Sequence, residues 1–235
     1  MVNFVINNNI LELYGDLNVG VVVCNNITNT NPTIAENLLK STIEKAKTDL
    51  SAISNLTDLD VIKKWRAAYK IFNEKKNRSS IESLLRRIYN NKEISSINPL
   101  VDIYNSISIK YGLPCGGEDI DTISENIELT LSTGKESFVP LGSDISENPN
   151  FSEVIYKSGN TVICRCFNWR ESEITKLTSD TKNALLCIEC LSSDDVSKLK
   201  LAIEELSECI CNMLGGTCRN FILNKSNTIC ELTKK

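Results

Sequence analysis

The chain contains no histidine among its 235 residues. That excludes a Ser-His or Cys-His catalytic pair, a histidine-ligated metal and an imidazole proton shuttle. It also has no apolar run near the roughly 20 residues needed to span a membrane. The opening stretch, MVNFVINNNILELYGD, lacks the basic segment and apolar core of a signal peptide. From these absences we expect a cytoplasmic protein whose ten cysteines stay as thiols in a reducing compartment. Strong net charge is missing too. At a formal balance of -4 the molecule as a whole does not attract DNA or RNA, so any nucleic-acid contact needs a local basic patch. No internal repeat or low-complexity linker interrupts the chain, and the sequence leaves the oligomeric state open.

What is present is ordinary for a globular domain, with 41% hydrophobic and 24% charged residues. Val2 to Ile6 and the β-branched run Leu17 to Cys24 read as strands, the second one buried. Pro32 opens a helix whose apolar positions Ile34, Leu38, Leu39, Ile43, Ala46 and Leu50 keep helical spacing to about Ile53. Thr57 or Asp58 is expected to cap a second helix, running to about Phe72. Ser79 and Glu82 have capping-box spacing for a third. Further on the texture turns to β, with strands expected at Ile127 to Leu131, Ser137 to Leu141, Val154 to Tyr156, Thr161 to Phe167 and Ala184 to Leu191. Ser158-Gly159-Asn160 reads as a hairpin turn. Asp194 starts a long helix that Gly215-Gly216 ends. This order predicts an α+β fold in a single mixed domain, β-sheet layers with packed helices. We divide it into N-terminal strands and helices (1–78), a core (79–191), a C-terminal helix (192–216) and a polar, loosely held tail (217–235).

The stretch NPLVDIYNSISIKYGLPCGGEDID, Asn98 to Asp121, organises the rest. Asn98 caps a helix, Pro99 fits its first turn and Gly112 reads as its left-handed stop. After Pro114, Cys-Gly-Gly reads as a turn that lets backbone approach something closely. Asp102 and Asn105 precede this turn and Glu118, Asp119 and Asp121 follow it, so Asp102 and Asp119 are expected to share one cleft. A helix, a turn and a solvated acidic loop is the plainer reading. A second feature is a basic segment between Asp60 and Lys92. If Lys63, Lys64, Arg66, Arg86 and Arg87 face one way, they contact RNA phosphates. Otherwise they are the solvated sides of two amphipathic helices.

NPLVDIYNSISIKYGLPCGGEDIDTI resembles the Val-Asp-x-x-Asn…Gly-x-Pro…Asp segment of the tandem B-three/B-four domain of the phenylalanyl-tRNA synthetase beta subunit. The resemblance continues through ESFVPLG, Thr178-x-x-Thr181-Lys182 and the strand carrying Glu189, roughly Ser79 to Leu191. Free-standing proteins of this type look closer still, through WRAAYKIF, SSIESLLRR and CRCFNWRES. The resemblance implies the fold of that domain. Because the domain hydrolyses misacylated tRNA, it also implies a free-standing, editing-like protein with tRNA or aminoacyl-tRNA as partner and no cofactor. The alternative is a module that binds RNA, an amino acid or a nucleotide and has lost hydrolysis. Aminoacylation motifs and an anticodon-binding-like domain are missing, so a complete phenylalanine-tRNA ligase is not expected. On the resemblance, Asp102, Asn105, Pro114 and Asp119 fall on the pocket frame, and Glu189 falls near the glutamate that recognises a tyrosine hydroxyl. There are two departures. Gly116 stands where the synthetases have histidine, and Cys166-Phe167-Asn168-Trp169-Arg170 replaces a small-residue glycine turn. They imply a pocket that does not prefer tyrosine and takes a polar or small ligand.

Ester hydrolysis needs an oriented water, a proton acceptor and donors for the developing oxyanion. Asp102, Glu118, Asp119 and Glu189 are the candidates for handling the water. Asn105, the N–H groups of Gly116 and Gly117, Arg165, Trp169, Arg170, Thr178 and Thr181 are the candidates for holding substrate. Asp102 and Asn105 serve equally well as partners of loop backbone. Arg165, Trp169 and Arg170 serve equally as packing and ion pairs, or as a stack for a base. Cys164-x-Cys166 and Cys187-x-x-Cys190 lie in apparent strands rather than on knuckle turns, so no metal is expected and the thiols act as small apolar groups.

Overall fold

The β-branched run after Leu17 forms β2 (Asn18–Asn25), buried on both faces from Asn18 to Cys24. Such a strand needs cover on both sides. It is paired with β8 (Ala184–Cys190) on one edge and β9 (Thr217–Leu223) on the other, and β8 carries β3 (Cys115–Asp119) at its far edge. The resulting four-stranded sheet, order β3-β8-β2-β9, is antiparallel throughout. The second sheet has the order β10-β1-β4-β5-β6-β7. Its strands are β1 (Asn3–Ile6), β4 (Ile127–Leu131), β5 (Val154–Ser158), β6 (Thr161–Arg165), β7 (Arg170–Glu171) and β10 (Ile229–Glu231). The structure, a computed structural model, describes residues 2–232. Among these the fold is α+β, two sheets with packed helices, as expected.

The helices are α1 (Asn8–Leu13), α2 (Pro32–Ser51), α3 (Asp60–Ile71), α4 (Ser80–Tyr89), α5 (Pro99–Tyr111) and α6 (Val196–Leu214). Local chemistry sets their ends. Asn98 Oδ1 accepts from the Val101 N–H at 3.1 Å, and Gly112 closes α5 at φ 61°. Ser79 Oγ accepts from the Glu82 N–H at 3.3 Å. One apolar cluster joins Phe4, Trp65, Tyr69, Leu85, Ile163 and Phe167, and a second joins Leu100, Ile103, Leu186, Leu199 and Leu206. The candidate site lies where β3 and β8 of one sheet meet β5 and β6 of the other.

Four expectations are corrected. Thr57 and Asp58 lie within a 3-10 turn, Leu56–Asp58, capped by Asn55, and α3 begins only after Leu59. Ser137 to Leu141 makes isolated bridges rather than a strand, and its Pro140 has no N–H for a ladder. Cys-Gly-Gly is not a turn but the start of the edge strand β3. The tail is not loosely held: β9 pairs along its whole length with β2, and β10 pairs with β1. Ladder hydrogen bonds and the buried Leu223 and Leu232 anchor it where sequence polarity suggested few anchors. Residues 233–235 lie outside the described residues.

Candidate functional site

The glycines of β3 form one wall of an internal cavity. A Cβ on Gly116 would sit 2.7 Å from Glu171 Oε1, and one on Gly117 would sit 2.3 Å from Leu186 Cδ2. Only glycine lets those side chains come so close. The cavity measures about 20 Å³ and is lined by Gly116, Gly117, Glu118, Tyr156, Cys164, Phe167, Asn168, Glu171, Cys187 and Glu189 among others. That is room for about one water molecule.

Three carboxyls face this space, and among the described residues no lysine or arginine lines it. Burial pushes Glu118 well up, and the neighbouring Glu171 carboxyl adds to it, against a hydrogen bond from Thr175 Oγ1. Burial raises Glu171 as well, and the two carboxyls share a hydrogen bond, so one of them carries a proton. Burial pushes Glu189 up to about 8, although Tyr156 Oη donates to its Oε1 at 2.9 Å. The second oxygens, Oε2 of Glu171 and of Glu189, are buried without a well-formed hydrogen bond among the described residues, although the Cys164 thiol beside Glu171 and the Asn168 amide beside Glu189 each favour the ionised carboxyl. Such orphaned acceptors point to a missing donor. Burial also pushes the Cys164 and Cys187 thiols well up, which leaves them inert at neutral pH. Glu189 in addition lines an outer cleft of about 240 Å³ that includes Lys64, Trp65, Gly112, Asp195 and Lys198. It therefore forms a wall between inner cavity and surface.

The turn after β6 supplies the cavity's other side. Cys166 and Phe167 are both left-handed, with φ of 48° and 63°, a conformation that costs non-glycine residues energy and marks strained sites. Phe167 is fully buried and packs edge-on against Tyr14 and Trp65, at ring distances of 5.1 and 5.4 Å. It fills volume that a glycine turn would leave open. Asn168 Oδ1 accepts from the Ser80 N–H at 3.0 Å and from Tyr69 Oη at 3.5 Å, while its buried Nδ2 has no partner.

Of the residues singled out from sequence, Gly116, Gly117, Glu118 and Glu189 converge here. The rest do not line the cavity. Asp102 is fully buried and accepts from the Ile97 N–H at 3.0 Å and from Ser96 Oγ at 2.5 Å, which is the loop-backbone role. Asp119 accepts from Thr181 Oγ1 at 2.7 Å and caps the next turn through the Asp121 N–H. Thr181 Oγ1 in turn accepts from the Thr178 N–H at 2.9 Å, so all three close a local loop. Asp102 and Asp119 thus do not share the acidic cavity: each spends one oxygen on a nearby backbone N–H and the other on a hydroxyl, that of Ser96 for Asp102 and of Thr181 for Asp119. Asn105 is half-buried on α5 with the cavity's lining elsewhere. Arg165 is buried in a two-pronged pair with Glu153, at 2.7 Å from both Nε and Nη2, and also reaches Glu147 at 2.6 Å. Its role is structural. Trp169 is stacked by Arg165 and by the exposed Arg170, at 5.6 and 5.8 Å. Glu171 and Tyr156 carried no signal as site residues, and Phe167 and Asn168 were marked only as part of the segment that replaces the glycine turn. Glu171 is one of 30 acidic residues, and only the pairing of β7 with β6 brings it under Gly116.

The basic segment does not form the single patch expected. Lys64 pairs with Asp60 and Asp195 at 2.7 and 2.8 Å. Arg66 and Arg86 converge on buried Glu82, at 2.7 and 2.9 Å, with Arg78 at 3.5 Å. Burial raises Glu82, but those arginines outweigh it and hold the carboxyl below its ordinary range. Lys63 and Arg87 are exposed, and Arg87 Nε donates to the Glu93 carbonyl. Residues two apart on a helix face different ways, which separates Lys64 from Arg66. A basic groove does form beside this cluster, lined by Arg66, Tyr69, Lys70, Glu74, Lys75, Lys76, Asn77 and Arg78. Tyr69 and Asn77 of the groove also touch Asn168 and Cys166, so the strained turn separates groove from acidic cavity.

Among solved structures, the chain is similar to an N-terminal fragment of the phenylalanyl-tRNA synthetase beta subunit from Pyrococcus horikoshii. The identity is 16% and the TM-score 0.44, with 54% of this chain and 45% of that one covered. This chain therefore spans less than half of that fragment. No curated protein matches. The model of the B3/4 domain family matches residues 64–213, from α3 into α6 and across both walls of the cavity. With well over half of its length matched, the chain belongs to the B3/4 domain family.

Proposed function

We propose that this chain is an editing-type module that receives the aminoacyl end of a charged tRNA and hydrolyses its ester. The observation that carries the reading is the buried, unpartnered Oε2 of Glu189 beside the Glu118–Glu171 pair. An ammonium group is a donor whose arrival would let these raised carboxyls ionise, and a free α-amine is the cation every aminoacyl ester carries. At about 20 Å³ the cavity holds about one water, the nucleophile, so the aminoacyl group approaches from the outer cleft that Glu189 also lines. A carboxyl at about 8 is matched to working pH as a general base. Glu189 takes a proton from water, the hydroxyl attacks the carbonyl carbon, and the ribose oxygen leaves with a proton, with the edge-strand amides of Gly116 and Gly117 as candidate donors to the oxyanion. Trp169 and the exposed Arg170, which precede Glu171 in the chain, suit a base or a phosphate.

The test is deacylation of a panel of aminoacyl-tRNAs. We expect turnover of small or polar amino acids and little of tyrosyl-tRNA of the phenylalanine type. Glu189→Gln should lower the rate by about 10²-fold or more and abolish the rise in rate through pH 8. Gly116→His should not create tyrosine clearance, because the new side chain collides with Glu171. Full activity in the Glu189→Gln variant would sink the assignment of the base. The non-catalytic alternative draws on one observation: a cluster of carboxyls opposes a developing oxyanion. Aminoacyl-tRNA binding without turnover of any substrate would favour it.

As the RNA contact we propose the groove of Arg66, Lys70, Lys75, Lys76 and Arg78 in place of a face built on Lys63, Lys64 and Arg87. Lys70→Glu with Lys76→Glu should weaken tRNA binding at least tenfold and flatten its salt dependence by about one to two phosphate contacts. Lys64→Glu, whose partners are already acidic, should change the slope little. Binding titrations at several salt concentrations distinguish the two surfaces, and equal effects from both would reject the groove.

A further inference from the structure

Three thiols meet at the β9 edge of the four-stranded sheet, independently of the acidic cavity. Cys24 lies near the end of β2, Cys218 near the start of β9 and Cys211 in the last turn of α6. Cys24 and Cys218 are direct partners in the antiparallel ladder, and their sulfurs are 3.5 Å apart. Opposed residues in such ladders have Cα atoms roughly 4.5–5.5 Å apart, within the span that a disulfide bridges, about 4.4–6.8 Å. Side-chain rotation alone can bring the sulfurs to bonding distance. Cys24 is fully buried, whereas Cys218 and Cys211 are half-buried and reachable from solvent.

We propose that Cys218 is a hydroperoxide-modifiable thiol that closes to a disulfide with Cys24, tying β9 covalently to β2. The Cys218 thiolate attacks one peroxide oxygen. An S–O bond forms, the O–O bond breaks, and the other oxygen leaves as an alcohol or as water after taking a proton. The Cys24 sulfur then attacks the sulfenic sulfur, an S–S bond forms, and water departs carrying the sulfenic hydroxyl and the Cys24 proton. Two thiols are oxidised and one peroxide bond is reduced. The sulfur–sulfur contact with Cys24, followed against burial by that with Cys211, holds Cys218 below the ordinary thiol range. Sharing that contact and burial push Cys24 up. The half-buried Cys209 has no thiol beside it, and burial raises it, so it serves as an internal control.

The experiment treats the native protein with one equivalent of hydrogen peroxide, alkylates what remains under denaturing conditions and maps the peptides. We expect ten thiols to fall to eight, with a Cys24–Cys218 cross-linked peptide as the first product. Cys24→Ala should let dimedone trap a sulfenic acid on Cys218, and Cys218→Ala should lose no thiol under the same exposure. If Cys218→Ala fails to fold, the map of the unaltered chain still decides the matter. A first product at Cys209, a Cys211–Cys218 bond in place of Cys24–Cys218, or a Cys218 that stays fully alkylatable would overturn the proposal.

Discussion

Arg165→Ala is expected to lower unfolding stability by about 3–5 kcal/mol at neutral pH, the cost of leaving a buried charge without its partner. Glu153 is 2% exposed and receives two hydrogen bonds from the Arg165 guanidinium. Burial raises Glu153, yet Arg165 outweighs it and holds the carboxyl below its ordinary 4.5. A group depressed by folding contributes stability above its unfolded value and loses it as pH falls through the folded one. The loss in the variant is therefore largest above pH 4.5 and shrinks in acid, where Glu153 is protonated in both states. Urea unfolding at pH 7 and at pH 3.5 measures both limbs. Arg170→Ala is the comparison: its side chain is exposed, so stability should change by less than about 0.5 kcal/mol while ligand affinity falls. Equal stability losses from both substitutions would mean that Arg165 is not the structural member of the two.

Glu189→Gln has the opposite sign. Folding raises this carboxyl from 4.5 to about 8, so between those values the folded state binds a proton that the unfolded chain does not. Stability of the unaltered protein therefore falls as pH rises from 4.5 towards 8. A shift of this size costs on the order of 3–5 kcal/mol above pH 8. Glutamine keeps an acceptor for Tyr156 and has no charge to desolvate. The variant should melt roughly 5–10 °C higher at pH 8.5 and at the same temperature as the parent at pH 4. Paired with the loss of deacylation, this is the signature of a carboxyl held in the core for function at the expense of stability. A Tm difference independent of pH would show that Glu189 is not neutralised by its surroundings.

The sequence by itself determined the local elements, because their causes are local. Asn98, Pro99 and Gly112 bound α5, Ser79 caps α4, and the Val19–Val23 run is a buried strand. Side-chain capping, left-handed glycine and two-sided burial need no distant partner to be legible. Of the residues the resemblance implied, Glu189 lines the cavity, as do Gly116, a departure from the family, and Glu118, read from the acidic run itself, whereas Asp102, Asn105, Pro114 and Asp119 do not. Tertiary structure decided which polar residues are free to act. Asp102, Asp119, Thr181 and Arg165 have the right chemistry, but each is used up by hydrogen bonds to groups of its own surroundings, Ile97 and Ser96 for Asp102, Thr181 and Asp119 for each other, and Glu153 for Arg165. Conversely, Glu171 lines the cavity only because the β6–β7 pairing aims it at β3, an element from another part of the chain. The tail looked unanchored because ladder hydrogen bonds, which hold β9 and β10, belong to the backbone and leave little mark on side-chain polarity. A residue's chemistry is written in the chain, whereas whether its donors and acceptors are already spent depends on which other segments fold against it.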